Sequence, residues 1–331
     1  MTIPPINKLK REPKKSKLKR FFSVFSVLLI LAFGFIFFKV GHTFSLVGDG
    51  NFWTNSESED NYNEENRIDV LVLGIRGADD ELYGGTLADS IMILSIKTDQ
   101  KKVAMISIPR DLYVKIPRHA DLSEKINYAY AFGENKNIGG INIMKEAVEN
   151  VTGINIDYAI VVDFNTFKEL VDSVGGIDIH LDKEFVETSQ WGWEFRVPAG
   201  DNHMDGDTAL YYARSRFSTD DFDRARRQQE IILALKDKMT SLGVLTNPLK
   251  LNSIFNSIGK GVKTNIDLAT GLKLIKYSDY FTGGNLIREV IRTGDNGLLQ
   301  AGTVDGKYVL YPKAGLDNFT EIKKEIRNIF E

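Results

Sequence analysis

Five arginines stand close together in the segment YYARSRFSTDDFDRARRQQ, residues 211–229. Arg214, Arg216, Arg224, Arg226 and Arg227 all fall within fourteen positions. A planar guanidinium group can bind two phosphate oxygens with parallel hydrogen bonds, which the ammonium group of lysine cannot do. This density of arginine rather than lysine therefore indicates a site for phosphate or pyrophosphate.

The end of this segment is predicted to begin a helix over residues 221–241. Asp221, Arg224 and Gln228 then share one face at spacings i, i+3 and i+7, and that face continues into Ile231 and Leu235. Charges on a core-facing stripe need a partner or a ligand, and arginines in a first turn oppose the helix dipole unless an anion binds there. An anion site is favoured over the alternative, a solvated basic start of a helix.

Three more candidates lie at the ends of predicted strands. Arg110 and Asp111 follow the buried strand in SIPRD, and Asp89 opens the strand DSIMIL. Ligands of open α/β sheets bind at such an edge, although an ordinary surface turn would also explain Arg110 and Asp111. Carboxylates beside a phosphate clamp suit Mg²⁺, and Mn²⁺ accepts the same hard oxygen ligands. The sequence therefore predicts a phosphate site with a divalent cation.

Other catalytic chemistries lack their sequence patterns. There is no G-x-x-x-x-G-K-[ST], G-x-G-x-x-G or G-x-S-x-G. The four histidines have no metal-binding spacing, and the absence of cysteine excludes thiol nucleophiles and cysteine metal sites. Nucleotide cradles, Ser-His-Asp catalysis and zinc hydrolysis are not expected.

The elements that must position these residues alternate between strands and helices. Strands are predicted over residues 68–75, 89–96, 102–108, 158–164, 177–181, 288–293 and 307–312. Helices are predicted over 124–133, 141–152, 165–175, 205–214, 221–241, 266–280 and 316–330, and residues 191–206 are predicted to form a loop. This order predicts an α/β fold with a central sheet.

The N-terminal region has the features of a membrane anchor. Residues 1–20 form a basic arm of net charge +7, and residues 21–38 carry no charge. Eighteen helical residues span about 27 Å, close to the ~30 Å hydrocarbon core of a bilayer. The length favours a transmembrane helix over a cleaved signal peptide, and the cations place the N-terminus inside. Residues 39–66 are then a flexible extracytoplasmic stalk, and residues 67–331 form one extracytoplasmic domain. Because residues 21–331 carry a net charge of −10, nucleic acid is not an expected partner.

Five blocks resemble, in order, the signature segments of the LytR-CpsA-Psr family. They are LADSIMIL, ISIPRDLYV, KINYAYAFG, FNTFKELVDSVGGIDI and MDGDTALYYARSRFSTDDFDRARRQQ. The resemblance implies a three-layer α/β/α sandwich with a mixed central sheet and a hydrophobic tunnel for a polyprenyl chain. It also implies a phosphotransferase at the cell membrane that moves a glycopolymer from a polyprenyl-pyrophosphate carrier to a peptidoglycan hydroxyl.

The resemblance also suggests site roles by position. Arginines would bind the pyrophosphate, Asp221 would orient them or assist proton transfer, and Lys125 would line the head-group site. The candidate catalytic residues are Arg110, Asp111, Arg214, Arg216 and Asp221. The candidate substrate-binding residues are Lys125, Arg224, Gln228 and Arg76, and the candidate Mg²⁺ ligands are Asp89 and Asp79.

One block departs from the family pattern. The family usually has G-S-D there, with the aspartate as a second metal carboxylate, whereas this chain has Gly74, Ile75 and Arg76. Asp79 or Asp80 on the next loop could replace that carboxylate, or Arg76 could neutralise phosphate instead. The geometry of the metal site is therefore open.

Two other functions stay open as well: a binding module that holds polyprenyl phosphates or wall polymers without turnover, and a pyrophosphatase.

Trp191 and Trp193 could contact sugar or membrane lipid, or could simply anchor a loop. Four apolar residues suit either a lipid tunnel or ordinary core, with core favoured: Phe164, Phe167, Val171 and Val174.

Overall fold

The computed structural model describes residues 64–77, 84–244 and 261–331. Within these residues the strands are β1 (Arg67–Ile75), β2 (Ala88–Lys97), β3 (Lys102–Ser107), β4 (Tyr113–Lys115), β5 (Ser123–Lys125), β6 (Tyr158–Asp163), β7 (Ile177–Leu181), β8 (Phe185–Glu187), β9 (Phe195–Val197), β10 (Gly200–Met204), β11 (Val262–Thr264), β12 (Leu286–Val290), β13 (Leu299–Val304) and β14 (Lys307–Pro312). The α-helices are α1 (Tyr128–Asn135), α2 (Gly140–Thr152), α3 (Phe164–Ser173), α4 (Gly206–Arg214), α5 (Asp221–Ser241), α6 (Leu268–Leu274) and α7 (Thr320–Arg327).

Six strands form the central sheet in the order β11-β6-β1-β2-β3-β12. β1 and β6 are parallel, as are β3 and β12, whereas β2 is antiparallel to both its neighbours and β11 is antiparallel to β6. The predicted α/β fold with a mixed central sheet is confirmed. The long β-branched runs lie in these strands because both faces of the sheet are covered, so alternate polar positions are not needed.

Helices pack against both faces of the sheet. One face carries α3, α4 and α5 through residues such as Leu170, Tyr212 and Leu235. The other face carries α1, α2 and α7 through residues such as Tyr130 and Val148. Because helices pack on both faces, the sheet is held in one arrangement. That arrangement determines which loops lie next to each other at its edges.

The ends of four strands meet at one edge of the sheet. The last residue of β1, Ile75, pairs with Ala88 at the start of β2 and with Asp163 at the end of β6. The end of β3, Ser107, pairs with Met92 in β2. Asp89, the loop after β3 and the start of α3 are therefore neighbours, although they are far apart in the sequence.

Several predicted elements differ from the observed ones. Residues 123–125 are a strand paired with β4, not the start of a helix, and α1 begins at Tyr128. The predicted loop 191–206 contains β9 and β10, which pair with β8 and β7. Such short strands depend on partners distant in the sequence, which local spacing does not reveal. The predicted helix 266–280 is α6 followed by a 3₁₀ turn, and the last helix is shorter than predicted.

The predicted arm (1–20), anchor (21–38) and most of the stalk (39–66) lie outside the described residues, as does Asp79. Across residues 64–77, 84–244 and 261–331, no helix combines the length and apolar character needed to cross a membrane.

Candidate active site

A cavity of about 490 Å³ opens at the edge where the strand ends meet. Such a volume lies in the usual range for small-molecule sites. Its lining residues are Arg76, Asp89, Ser90, Arg110, Phe164, Gln190, Trp191, Arg214, Arg216, Phe217, Arg224 and Gln228. Seven of the predicted catalytic, substrate-binding and metal residues therefore line one cavity, and five of these seven are arginines.

Asp221 lies at the centre of the arginine cluster. Its Oδ1 atom is 2.9 Å from Arg224 Nη2, 3.7 Å from Arg216 Nη1 and 3.8 Å from Arg110 Nε. This buried oxygen makes no hydrogen bond of good geometry within the described part of the chain, and the same holds for Arg110 Nε and Arg224 Nε. Asp221 thus holds three guanidinium groups together by charge while leaving them donors for an anion.

Asp89 binds the same cluster from the sheet side. Its carboxylate accepts a hydrogen bond from Arg110 Nη1, and its Oδ2 atom lies 3.4 Å from Arg76 Nε. Its backbone carbonyl accepts a hydrogen bond from Arg224 Nη2 at 3.0 Å. Side chains from β2, the loop after β3 and α5 are fixed relative to one another by these contacts.

The environment acts oppositely on two of the arginines. Burial lowers the pKa of Arg224 to about 10, with Asp221 opposing this effect and Arg110 adding to it. Burial also disfavours charge on Arg110, but Asp89, Asp221 and Asp111 outweigh it and raise the pKa of that guanidinium. Both groups are cationic at neutral pH, and Arg224 is the one whose charge would gain most from an anion.

Helix α5 begins with an acidic cap that makes Arg224 electrostatically tolerable near its N-terminus. The side chain of Asp220 accepts a hydrogen bond from the backbone N–H of Asp223 at 2.6 Å, and Asp221 and Asp223 supply acidic charge in the first turn. These groups offset the dipole penalty for an arginine at this end.

Two of the five clustered arginines serve structure and do not line the cavity. Arg227 is buried and donates hydrogen bonds to the carbonyls of Tyr212 and Ser215. Arg226 is on the exposed side of α5, where it pairs with Asp223 at 3.0 Å. Helical periodicity explains the division, since positions three, four and seven beyond Asp221 share its face, whereas Arg226 and Arg227 lie five and six positions beyond it.

Asp111 and Lys125 lie beside the cavity and are not among its lining residues. Lys125 Nζ donates to Asp111 Oδ1 at 2.7 Å, because β5 brings Lys125 to the loop after β3. Asp111 Oδ2 lies 4.0 Å from Arg110 Nε, so this pair touches the site through Arg110.

Gln228 and Arg214 stand where the cavity meets an apolar cleft. Gln228 accepts a hydrogen bond from Ser90 Oγ at 2.9 Å and donates to the carbonyl of Ala213 at 3.2 Å. The Arg214 guanidinium carbon lies 4.4 Å from the ring centroid of Phe164 and 5.1 Å from that of Trp191. Aromatic faces hold this cation at the junction.

The cleft has a volume of about 130 Å³ and runs between the sheet and helices α3, α4 and α5. It shares Ser90, Phe164, Arg214 and Gln228 with the cavity. The remaining lining residues are Val72, Leu73, Gly74, Leu94, Ile160, Val162, Asp163, Phe167, Leu170, Leu210, Ala213, Ile231, Ile232 and Leu235. An apolar channel therefore leads away from the arginines.

The four apolar residues left open from the sequence divide between cleft and core. Phe164 and Phe167 line the cleft, and Phe167 also packs against the core. Val171 and Val174 are buried in the core, at 0% and 3% exposure. Trp191 lines the cavity, whereas Trp193 is half exposed.

Sequence reasoning missed Ser90, Gln190 and Phe217 as lining residues. Ser90 follows Asp89 in a strand and could have been found by its position. Gln190 and Phe217 lie in irregular segments with no spacing signal.

Within the described ranges, no group of three acidic or histidine side chains is arranged to hold a metal. Asp89 is the carboxylate that lines the cavity, and Mg²⁺ commonly binds one or two carboxylates together with substrate phosphate oxygens and water. The donor set therefore fits a cation that arrives with a phosphate ligand.

The chain is similar to known proteins along most of its length. Residues 49–325 match the LytR_cpsA_psr family. The polyisoprenyl-teichoic acid–peptidoglycan teichoic acid transferase TagU of Enterococcus faecalis is 28% identical over 276 residues, 83% of each chain. TagV of Bacillus subtilis, which bears the same transferase name, is 31% identical over 80% of this chain and 68% of its own length. The crystal structure of B. subtilis TagV superposes with a TM-score of 0.62 at 29% identity, covering 80% of this chain and 97% of that one. The protein belongs to the LytR-CpsA-Psr family.

Proposed function

We propose that this protein is a phosphotransferase that moves a glycopolymer from a polyprenyl-pyrophosphate carrier to a sugar hydroxyl of peptidoglycan. The observation that carries the proposal is the arginine-lined cavity, which shares four residues with an apolar cleft. A lipid pyrophosphate has the same two parts, an anionic centre and an apolar chain. The names of TagU and TagV, polyisoprenyl-teichoic acid–peptidoglycan teichoic acid transferases, support the same assignment.

In this proposal the arginines do most of the chemistry. A pyrophosphate diester carries about two negative charges, and Arg76, Arg110, Arg214, Arg216 and Arg224 line the cavity. The acceptor hydroxyl oxygen attacks the phosphorus next to the sugar, and the bond from that phosphorus to the bridging oxygen breaks. Polyprenyl phosphate leaves, and the proton of the hydroxyl passes to the leaving phosphate or to solvent. Such transfer needs positioning and charge neutralisation more than covalent catalysis, so preorganised guanidinium groups are well suited to it.

The remaining candidates have supporting roles in the proposal. Asp221 orients three arginines, and Gln228 contacts the substrate at the junction of cavity and cleft. Asp111 stabilises the charge of Arg110, and Lys125 holds Asp111 in place through their ion pair.

We propose Mg²⁺ as the cofactor, with Mn²⁺ as a substitute, and Asp89 as its protein ligand. A divalent cation bound there would neutralise charge on the phosphate oxygens. Because Asp89 Oδ2 lies 3.4 Å from Arg76 Nε, the cation would compete with this guanidinium. The same contact favours a second candidate function, a binding module that holds the lipid pyrophosphate without turnover.

The test uses the purified full chain in detergent with a polyprenyl-pyrophosphate-linked oligosaccharide, peptidoglycan fragments and Mg²⁺. Transfer of sugar with release of polyprenyl phosphate is expected. Arg216→Ala should lower the rate by about 10²–10³-fold, the range for loss of one preorganised donor. The matched control is Arg226→Ala, since that side chain is 47% exposed and does not line the cavity.

The other outcomes identify the alternatives. Release of polyprenyl phosphate without transfer would identify a pyrophosphatase. Binding without release, with Mg²⁺, with Mn²⁺ or after chelation, would replace the transferase by the binding module.

A further inference from the structure

A short segment packs against the loop that presents Arg216. We call Glu187–Trp191, which begins at the last residue of β8, the clasp segment. It faces the backbone of residues 214–218, which leaves α4 and turns toward α5. Residues 215–220 have no regular hydrogen-bonded structure of their own, so contacts with neighbouring segments determine where Arg216 points.

Glu187 is fully buried in these contacts, with 0% exposure. Its carboxylate accepts hydrogen bonds from the backbone N–H groups of Ser189, Gln190 and Ser218 at 3.0, 3.2 and 3.0 Å. It also accepts one from Ser218 Oγ at 2.9 Å. Burial would raise the pKa of Glu187, but these hydrogen bonds outweigh it and lower the pKa to about 2.

Gln190 binds the backbone on both sides of Ser215. Its Nε2 donates to the carbonyl of Arg214 at 3.0 Å, and its Oε1 accepts from the N–H of Arg216 at 2.8 Å. The next residue, Trp191, donates from Nε1 to Ser215 Oγ at 3.0 Å. We call residues 214–218 the arginine loop. Glu187 and Gln190 thus hold its backbone, and Trp191 holds the side chain of Ser215.

We propose that Glu187 and Gln190 are positioning residues that hold Arg214 and Arg216 in place for a pyrophosphate. The inference rests on the proposed function for the identity of the substrate. Its physical basis is preorganisation: an arginine on a loosened loop must be ordered again each time an anion binds, and misplacement lowers the rate of the transfer step. Neither the carboxylate of Glu187 nor the side-chain amide of Gln190 needs to contact the reacting atoms for this role.

The test compares Glu187→Gln, Gln190→Ala and Gln190→Glu in the full chain in detergent. The control is Glu149→Gln on the opposite face of the sheet, where a buried carboxylate accepts a hydrogen bond from the N–H of Ile156 at 2.9 Å. Three quantities are measured for each variant: affinity for inorganic pyrophosphate by calorimetry, kcat and KM for transfer, and the free energy of unfolding.

Glu187→Gln and Gln190→Ala should each weaken pyrophosphate binding by about tenfold and lower kcat more than they raise KM. Gln190→Glu should recover part of the loss, because it keeps the acceptor for Arg216 N–H. Glu149→Gln should keep the wild-type affinity and kcat.

The proposal would be overturned if the Glu187 and Gln190 variants kept the wild-type affinity and kcat. It would also be overturned if these variants lost no more affinity and kcat than Glu149→Gln does, when the free energies of unfolding are equal. If Glu187→Gln fails to fold, the comparison of Gln190→Ala with Gln190→Glu tests the proposal. A wild-type chain that binds pyrophosphate without transfer would refute the proposed function while the affinities still test the clasp. A wild-type chain that does not bind pyrophosphate would overturn both.

Discussion

At the scale of single residues, Asp221 lets several arginines share one small cavity. Its side chain is 18% exposed and lies within 4 Å of Arg110, Arg216 and Arg224. Like charges brought this close repel one another, and the repulsion grows as water is excluded. One carboxylate at the centre reduces that cost, but it does not cancel the positive charge that an anion would meet.

Asp221→Asn removes this central charge while keeping the shape of the side chain. We expect the free energy of unfolding to fall by about 3 kcal/mol, the magnitude seen when one member of a buried ion pair is removed. Pyrophosphate should restore more stability to the variant than to the wild-type protein, because it supplies the missing negative charge. Urea unfolding with and without pyrophosphate measures both effects.

Asp237→Asn, at an exposed position of the same helix, is the control. Equal stabilisation of Asp221→Asn and wild type by pyrophosphate would show that Asp221 does not hold the arginines together by charge.

At the scale of elements, α5 joins the two chemically different parts of the site. Its first two turns carry Arg224 and Gln228 into the cavity, and the following turns carry Ile231, Ile232 and Leu235 into the cleft. A helix keeps residues three, four and seven positions apart on one side, so a single straight element presents first charge and then apolar surface. A lipid pyrophosphate would lie along this side of the helix.

Ile232→Trp should fill part of the cleft and leave the cavity unchanged. The KM for a donor with a long prenyl chain should rise by about tenfold, since a displaced apolar segment loses roughly 1–2 kcal/mol of burial. Affinity for inorganic pyrophosphate should stay at the wild-type value. Calorimetry and transfer kinetics with short and long prenyl donors separate these effects.

Asp237→Trp provides a matched control on the exposed side of α5. If Ile232→Trp raised the KM for short and long prenyl donors equally, the cleft would not be the site of the chain.

At the scale of the whole molecule, the mixed sheet collects residues from distant parts of the sequence. Because β2 runs against β1 and β3, its first residues meet their last ones, and Asp89 comes to lie beside Arg110 and Arg76. We propose that a membrane anchor brings this edge near the proposed lipid substrate.

The uncharged segment 21–38 is expected to anchor the chain with its N-terminus inside. In cells whose plasma membrane is intact and accessible to added protease, the protease should degrade residues 64–331. It should spare a tag placed at the N-terminus. Removal of residues 1–38 should release the remaining chain from the membrane fraction.

A cytoplasmic marker protein that survives the protease is the control for cell integrity. Protection of the folded domain would contradict the predicted topology.

The sequence by itself determined the element types where patterns are local. Apolar β-branched runs predicted β1, β2, β3 and β6, and the i, i+3, i+7 spacing predicted that Asp221, Arg224 and Gln228 share a face of α5. The arginine cluster and the family resemblance indicated seven of the residues that line the cavity. These properties depend on neighbours within a few residues, which is why the sequence carries them.

Only the tertiary structure decided which residues meet. The contacts of Asp221 with Arg110, and of the clasp segment with the arginine loop, join positions far apart in the chain, so no local spacing predicts them. The same holds for β5, β9 and β10, which exist through their partner strands. It also holds for Phe167 and Val171, which both pack in the core although only Phe167 lines the cleft. An apolar residue has the same hydropathy in either place, and only the packing of the surrounding helices leaves space beside one and not the other.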